Sequence, residues 1–209
     1  MGTLKTGIYG EYYGSPSTSS SPLTYEQMKK NATYIYSYLT DGGWSINSIS
    51  AILGNMEAES TINPGRWQND EVGNTSGGIG LVQWTPATKY IDWCVANRLS
   101  TDEMDSNLAR IIYEVENNIQ WISTDTYDLT FAEFTTSELS VGELAKAFLL
   151  CYERPEDQSE SVQSYRASLG EAWYLELTGT SPSEPSDKTK RKKYNFIIFN
   201  RRRKEQWIR

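Results

Sequence analysis

The sequence predicts an α+β fold that is mostly helical, with a small β-hairpin or irregular lobe beside a helical core. Three observations carry this. Apolar residues recur at helical spacing in at least five segments after residue 23. The longest interruption among them, "GRWQNDEVGNTSGGIGLV" at residues 65–82, is rich in Gly, Asn, Asp and Ser, which favour turns and short strands over helix. The chain has 209 residues, 38% of them hydrophobic and 12% aromatic, enough for one domain with a substantial core.

Residues 1–23 end in a Ser/Thr/Pro-rich stretch and read as an arm or linker. Thr24 is placed to cap a helix, with Gln27 as its capping-box partner, and that helix should run to about Leu39 and stop at "DGG". A second helix starts at Trp44 or Ser45 and ends before Asn63-Pro64. After the lobe, Pro86 suits the first turn of a third helix, "ATKYIDWCVANR". The stretch "DEMDSNLARIIYEVENNIQWI" places apolar residues at 104, 108, 111, 112, 115, 119 and 122, the pattern of one long amphipathic helix. "SVGELAKAFLLCYE" is apolar enough to be central, and Pro155 limits its end. "SVQSYRASLGEAWYLEL" is the last helix, and residues 24–178 form the expected domain. Residues 179–209 read as a linker, "TSPSEPSD", followed by a basic tail without helical pattern, expected to be disordered, with a basic anchor or the remnant of a downstream domain as alternatives.

Charge and composition exclude several function classes. The net charge is −7, but the segment from Ser181 to Arg209 holds ten Lys or Arg against three Asp or Glu, so the first 180 residues carry −14. Nucleic acid is not an expected partner of so acidic a domain. There is no histidine, so Ser-His-Asp and Cys-His hydrolases and His-ligated zinc enzymes are disfavoured. Acid–base chemistry falls to carboxylates, Tyr or Lys, and no metal or cofactor is expected. Cys94 and Cys151 sit in apolar surroundings and read as buried thiols, with a disulfide as the alternative. No stretch reaches the length of a membrane span. The N-terminus has no apolar run of signal-peptide length, so a place outside the cell would have to be reached without a signal of the chain's own.

The stretch "GNMEAESTINP", residues 54–64, carries the most specific chemical signal. On a helix from Ser45 to Ser60, Ile46, Ile49, Ile52, Leu53 and Met56 form one apolar stripe, and Glu57 and Glu59 fall on opposite flanks of it. Periodicity does not choose between them. Glu59 lies nearer the helix C-terminus, where the dipole disfavours a negative charge, and directly before the turn into the Gly-rich lobe. Glu57 reads as a solvated boundary residue.

Glu59-Ser60, then "GLVQ" at residues 80–83, then "CYE" at 151–153, resembles the Glu-Ser, Gly-Leu-Met-Gln and Ala-Tyr-Asn motifs of goose-type lysozymes and soluble lytic transglycosylases. A closer resemblance is to the phage tail lysozyme family, through "GGWSINSISAILGNMEAESTINPGRWQN", "GNTSGGIGLVQWTPATKYIDW" and "LAKAFLLCYERP", in that order, over about residues 24–176. The resemblance implies a lysozyme-like fold and cleavage of peptidoglycan glycan strands between N-acetylmuramic acid and N-acetylglucosamine. It also implies residence in a virion tail or outside the cell, beside other phage tail proteins, and Glu59 as general acid. For the second catalytic group Asp70 and Glu71 in the lobe are expected, with Thr75 as a further polar residue there. Gln83, Trp84 and Tyr152 are the expected substrate contacts, since aromatic rings stack on sugar faces. Glu153 stands where the transglycosylase motif has Asn, which sets the chain apart from that chemistry and puts a second carboxyl near Glu59. Alternatives are a lytic transglycosylase using the same Glu59, or a non-catalytic wall-binding or structural module.

Overall fold

The computed structural model describes residues 2–182; most of the linker and the basic tail expected at 179–209 lie outside the described residues. The chain opens with two antiparallel strands, β1 (Thr3–Gly7) and β2 (Gly10–Gly14), then helices α1 (Tyr25–Asp41) and α2 (Ile46–Ser60). An irregular lobe follows, with one 3-10 turn at Gln68–Asp70. The remaining helices are α3 (Thr88–Asn97), α4 (Met104–Glu116), α5 (Phe131–Thr135), α6 (Val141–Phe148) and α7 (Glu160–Thr178). The mostly helical α+β architecture is the one expected.

Where caps can be read from sequence, the helices begin as expected. The Thr24 hydroxyl accepts from Gln27 N–H and the Gln27 side chain accepts from Thr24 N–H, both halves of a capping box. Ser45 caps α2 by accepting from Ser48 N–H at 3.1 Å.

Three expectations are corrected. Residues 3–14, expected as part of an arm, form the hairpin β1–β2. It is folded onto the domain because Tyr12 is fully buried and donates to Glu103, and because Asn31 of α1 stands in for a third strand. Asn31 accepts from Tyr13 N–H at 2.6 Å and donates to Tyr13 C=O at 2.7 Å. The helix expected to run to Ile122 stops at Glu116. Asn118 and Gln120 take left-handed conformations (φ 50° and 69°), and Trp121 turns inward to stack on Phe131 at 5.0 Å. The "AFLLCYE" helix changes pitch at Leu149: residues Leu149–Glu153 form a π-helical turn that ends at a left-handed Arg154 (φ 49°). The lobe at 65–82 is irregular, held by isolated bridges of Trp67 with Ile79 and Ile79 with Trp84. Cys94 and Cys151 are free and buried.

Helix α2 runs through the centre of the molecule, packed on α7, α6 and α1. Its crossing with α7 has no side chain between the backbones. A methyl group on Gly54 would lie 2.4 Å from the backbone nitrogen of Gly170 and 3.0 Å from the carbonyl of Arg166. A mid-helix glycine costs roughly 1 kcal/mol relative to alanine, and here the close approach offsets it. On the α6 side, Asn55 donates to Ala145 C=O at 3.1 Å. Gly54→Ala should destabilise the fold by about 1–3 kcal/mol or more, since the clash is with backbone that has no rotamer to change. Gly142→Ala serves as the control, because its methyl meets the flexible end of Glu171 at 2.9 Å and an ordinary contact with Ala167. Thermal unfolding of the two variants should separate them clearly; equal midpoints would mean the crossing tolerates expansion.

Candidate active site

Glu59 occupies the last turn of α2, where the chain leaves the helix through two successive left-handed residues, Thr61 (φ 55°) and Ile62 (φ 52°). A β-branched residue in that region is strained, and the surroundings hold it. Ile62 is fully buried and its carbonyl accepts from Asn31 at 2.7 Å. Ser60 binds the helix end to the next motif by donating to Leu81 C=O at 2.9 Å. Leu81 N–H in turn donates to Asn107 Oδ1 at 2.9 Å. The "GLVQ" turn is therefore pinned by side chains on both sides. Gly80 (φ 84°) is needed there, because a methyl group would lie 2.5 Å from Asn107 Oδ1 and 2.8 Å from the Trp84 ring.

The turn forms one wall of a cleft of about 630 Å³. Glu59, Gln83 and Trp84 face it from this wall, Tyr152, Glu153 and Arg154 from the π-helical turn, and Arg66 to Asn69 from the lobe. Of the eight residues singled out in the sequence, the structure brings together five: Glu59, Gln83, Trp84, Tyr152 and Glu153. Asp70, Glu71 and Thr75 are exposed and outside the lining. Asp70 is paired with Arg66 Nε at 3.0 Å and accepts from Ser20 at 2.7 Å, and Glu71 accepts from Asn74 at 2.7 Å. Glu57 is not a solvated boundary residue: it is half-buried and accepts from Trp173 Nε1 at 2.7 Å, and burial pushes its carboxyl above the usual range.

Trp84 and Tyr152 are wall-builders. Trp84 is 4% exposed and stacks on Tyr90 at 4.4 Å; Tyr152 is 1% exposed and stacks on Phe148 at 4.5 Å. Their polar ends converge on Glu114, a residue that no sequence pattern marked. Trp84 Nε1 donates to it at 3.0 Å, Arg110 Nε at 2.8 Å, and Tyr152 through its hydroxyl. Burial raises the Glu114 carboxyl and these donors oppose the rise. Its one sequence signal is the i, i+4 spacing from Arg110, which is common on solvated helix faces. Gln83 is left-handed (φ 50°) and its amide donates to Arg66 C=O at 3.1 Å and Gly80 C=O at 2.9 Å.

The charges behind Glu59 were also not legible. Arg166 of α7, itself 8% exposed, forms an ion pair with Glu59 and donates to Asn55 C=O at 2.9 Å. Glu153 sits beside this pair. Burial, and next the negative charge of Glu59, push its carboxyl well above the usual range, with Arg166 and Arg154 opposing. Its Oε1 is buried and has no hydrogen-bond partner among the described residues. Among the described residues no three His, Cys, Asp or Glu side chains converge as metal ligands, and no helix is long and apolar enough to cross a membrane.

Glu153 generates a stability prediction. A carboxyl whose folded value is raised binds its proton more tightly in the native state, so its contribution is full below its ordinary value of 4.5 and is lost as pH rises toward the folded value. Glu153→Gln should remove that decline. Melting curves taken from acid to mildly alkaline pH should show the variant gaining on the wild type as pH rises; parallel curves would contradict the assignment.

Residues 30–177 match the family model described as phage tail lysozyme. The chain is 52% identical over 157 residues to "Morphogenesis protein 1" of Bacillus phage B103, an alignment covering 75% of this chain and 42% of that protein. The chain thus spans less than half the length of the curated relative it matches. With the family model covering most of the chain, the chain belongs to the phage tail lysozyme family.

Proposed function

We propose that the chain is an N-acetylmuramidase that cuts the glycan strands of bacterial peptidoglycan, carried in a phage tail, with Glu59 as the proton donor. The observation that carries this is the position of Glu59: at a helix end, backed by α7, facing a cleft of about 630 Å³, a size common for sites that enclose a ligand. Membership of the family and the relative's phage origin support the same reading. Glycoside hydrolysis requires protonation of the leaving oxygen and stabilisation of an oxocarbenium-like centre. Glu59 and Glu153 supply carboxyls to the cleft from two elements, and Gln83 supplies a polar group whose amide is held rigid by two backbone carbonyls.

A second reading, lytic transglycosylase chemistry with the same Glu59, is favoured by one observation. The lobe carboxylates expected to hold a water, Asp70 and Glu71, lie outside the cleft lining and have other partners. In that chemistry the sugar's own N-acetyl group assists and leaves 1,6-anhydro ends. Mass spectrometry of digested peptidoglycan distinguishes the two, with reducing muramic acid ends expected for the hydrolase.

Glu59→Gln preserves shape and removes the transferable proton. It should lower wall lysis by about 10²–10⁴-fold, with thermal unfolding close to wild type. Glu57→Gln should lyse walls near the wild-type rate, because Gln still offers an oxygen to Trp173 and the side chain is outside the cleft lining. Both are measured by turbidity loss of purified walls. Reversed results would move the assignment to Glu57. Wall binding by the wild type without lysis would leave a non-catalytic module.

A further inference from the structure

The charges around Glu59 come from separate elements. Glu59 stands on α2, Arg166 on α7, Glu153 and Arg154 on the π-helical turn and its cap, and Glu114 on α4. Arg66, Lys89 and Glu156 charge the rim of the cleft. Among the described residues only Arg166 reaches Glu59 as an ion pair. It is anchored by the carbonyl of Asn55, so it has no freedom to follow a second carboxylate. Arg154 donates to the backbone carbonyls of Gln120 and Cys151. Glu114 is occupied by Trp84, Arg110 and Tyr152. Glu153 is left with a buried oxygen that receives no donor. An ionised carboxylate in that place would cost several kcal/mol, whereas a neutral carboxyl would not.

We propose that Glu59 and Glu153 hold one proton between them, with Glu153 as its resting place and Arg166 as the fixed counter-ion of Glu59. This rests on the reading of Glu59 as the acid, and it makes Glu153 and Arg166 positioning residues that act through it. Two carboxyls beside one fixed guanidinium keep a single proton over a wide pH range, because releasing it leaves two adjacent negative charges. In the reaction the proton moves from Glu153 to Glu59 and then to the glycosidic oxygen as the C–O bond breaks, and the leaving sugar departs as an alcohol. Both carboxyls are then ionised. Water adds its oxygen to the sugar carbon, and its released proton returns to the pair.

The test is the pH–rate profile of wall lysis for wild type, Glu153→Gln, Arg166→Met, Arg166→Lys and Glu59→Gln, with thermal unfolding of each. In Glu153→Gln the acid has no second carboxyl beside it to hold the proton. The alkaline limb should fall by about one pH unit or more, with activity at neutral pH down roughly tenfold and recovering in acid. Arg166→Met should shift the same limb upward, and Arg166→Lys should restore it. A merely structural role would lower rates without moving the limb in opposite directions. An unmoved limb in Glu153→Gln, with Glu59→Gln inactive, overturns the shared proton and leaves Glu59 as the acid. An active Glu59→Gln overturns both. Infrared spectroscopy adds a measurement independent of activity. A protonated-carboxyl band at neutral pH should be present in wild type and absent in Glu153→Gln, and its absence from wild type would overturn the proposal whatever the variants do.

Discussion

The backbone contact between Gly54 and Gly170 is the constraint on which the site depends. With no side chain between them, α2 and α7 approach closely enough for Arg166, one turn before Gly170, to reach both the Asn55 carbonyl and the Glu59 carboxylate. A methyl group at Gly54 would meet backbone on α7, and backbone cannot change rotamer. The position of a charge at the cleft is in this way set by the absence of a side chain in the core. α6 is tied to the same helix through Asn55 and carries the turn that presents Glu153.

The irregular half of the molecule is held differently. Between α2 and α3 no ladder of backbone bonds forms, and buried asparagines replace it. Asn63 is fully buried, accepts from Ser15 N–H and Gly65 N–H, and donates to Ser21 C=O. Asn107 of α4 accepts from Leu81 N–H and donates to Tyr90 and to the carbonyls of Pro64 and Glu103. Buried polar networks of this kind are costly when incomplete and specifying when complete. They place the "GLVQ" turn against the end of α2 without any strand to position it.

The helices were legible because their caps and stripes are local. Thr24 with Gln27, and Ser45, needed no knowledge of the rest of the chain. The early end of α4 was not legible, since Ile119 and Ile122 continue the apolar spacing while Trp121 is drawn out of register by an aromatic cluster formed with Phe131 and Phe134, which lie on the next helix. The hairpin at residues 3–14 was masked by its Ser/Thr-rich sequel, although "GIYG" between short β-prone runs has the punctuation of a tight turn. The same division holds at the site. Glu59, Gln83 and Glu153 were found through short motifs. Arg166 and Glu114 were missed because each acquires its meaning from a partner 107 or 30 to 38 residues away. Asp70 and Glu71 were chosen for residue type and place in the lobe, and neither property shows that Arg66 and Asn74 engage them.

A protein without histidine must draw different behaviour from one functional group, and three glutamates here differ in burial and in the donors they are given. Glu114 receives three, from an indole, a guanidinium and a phenol. Each charged hydrogen bond contributes about 1.5–3 kcal/mol, enough to hold much of the effect of burial in check, and the carboxyl serves as a knot beneath the cleft. Glu59 receives one strong donor, Arg166, and faces the cleft with the rest of its surface. Glu153 is part-buried, and its buried Oε1 receives no donor among the described residues. Burial and the number of donors together separate them: the Glu59 side chain is 21% exposed and that of Glu114 1%, and the donors are set by the helix crossing, the i, i+4 spacing on α4 and the change of pitch at Leu149. The division of labour among the carboxyls is therefore a property of the backbone geometry before it is one of the side chains.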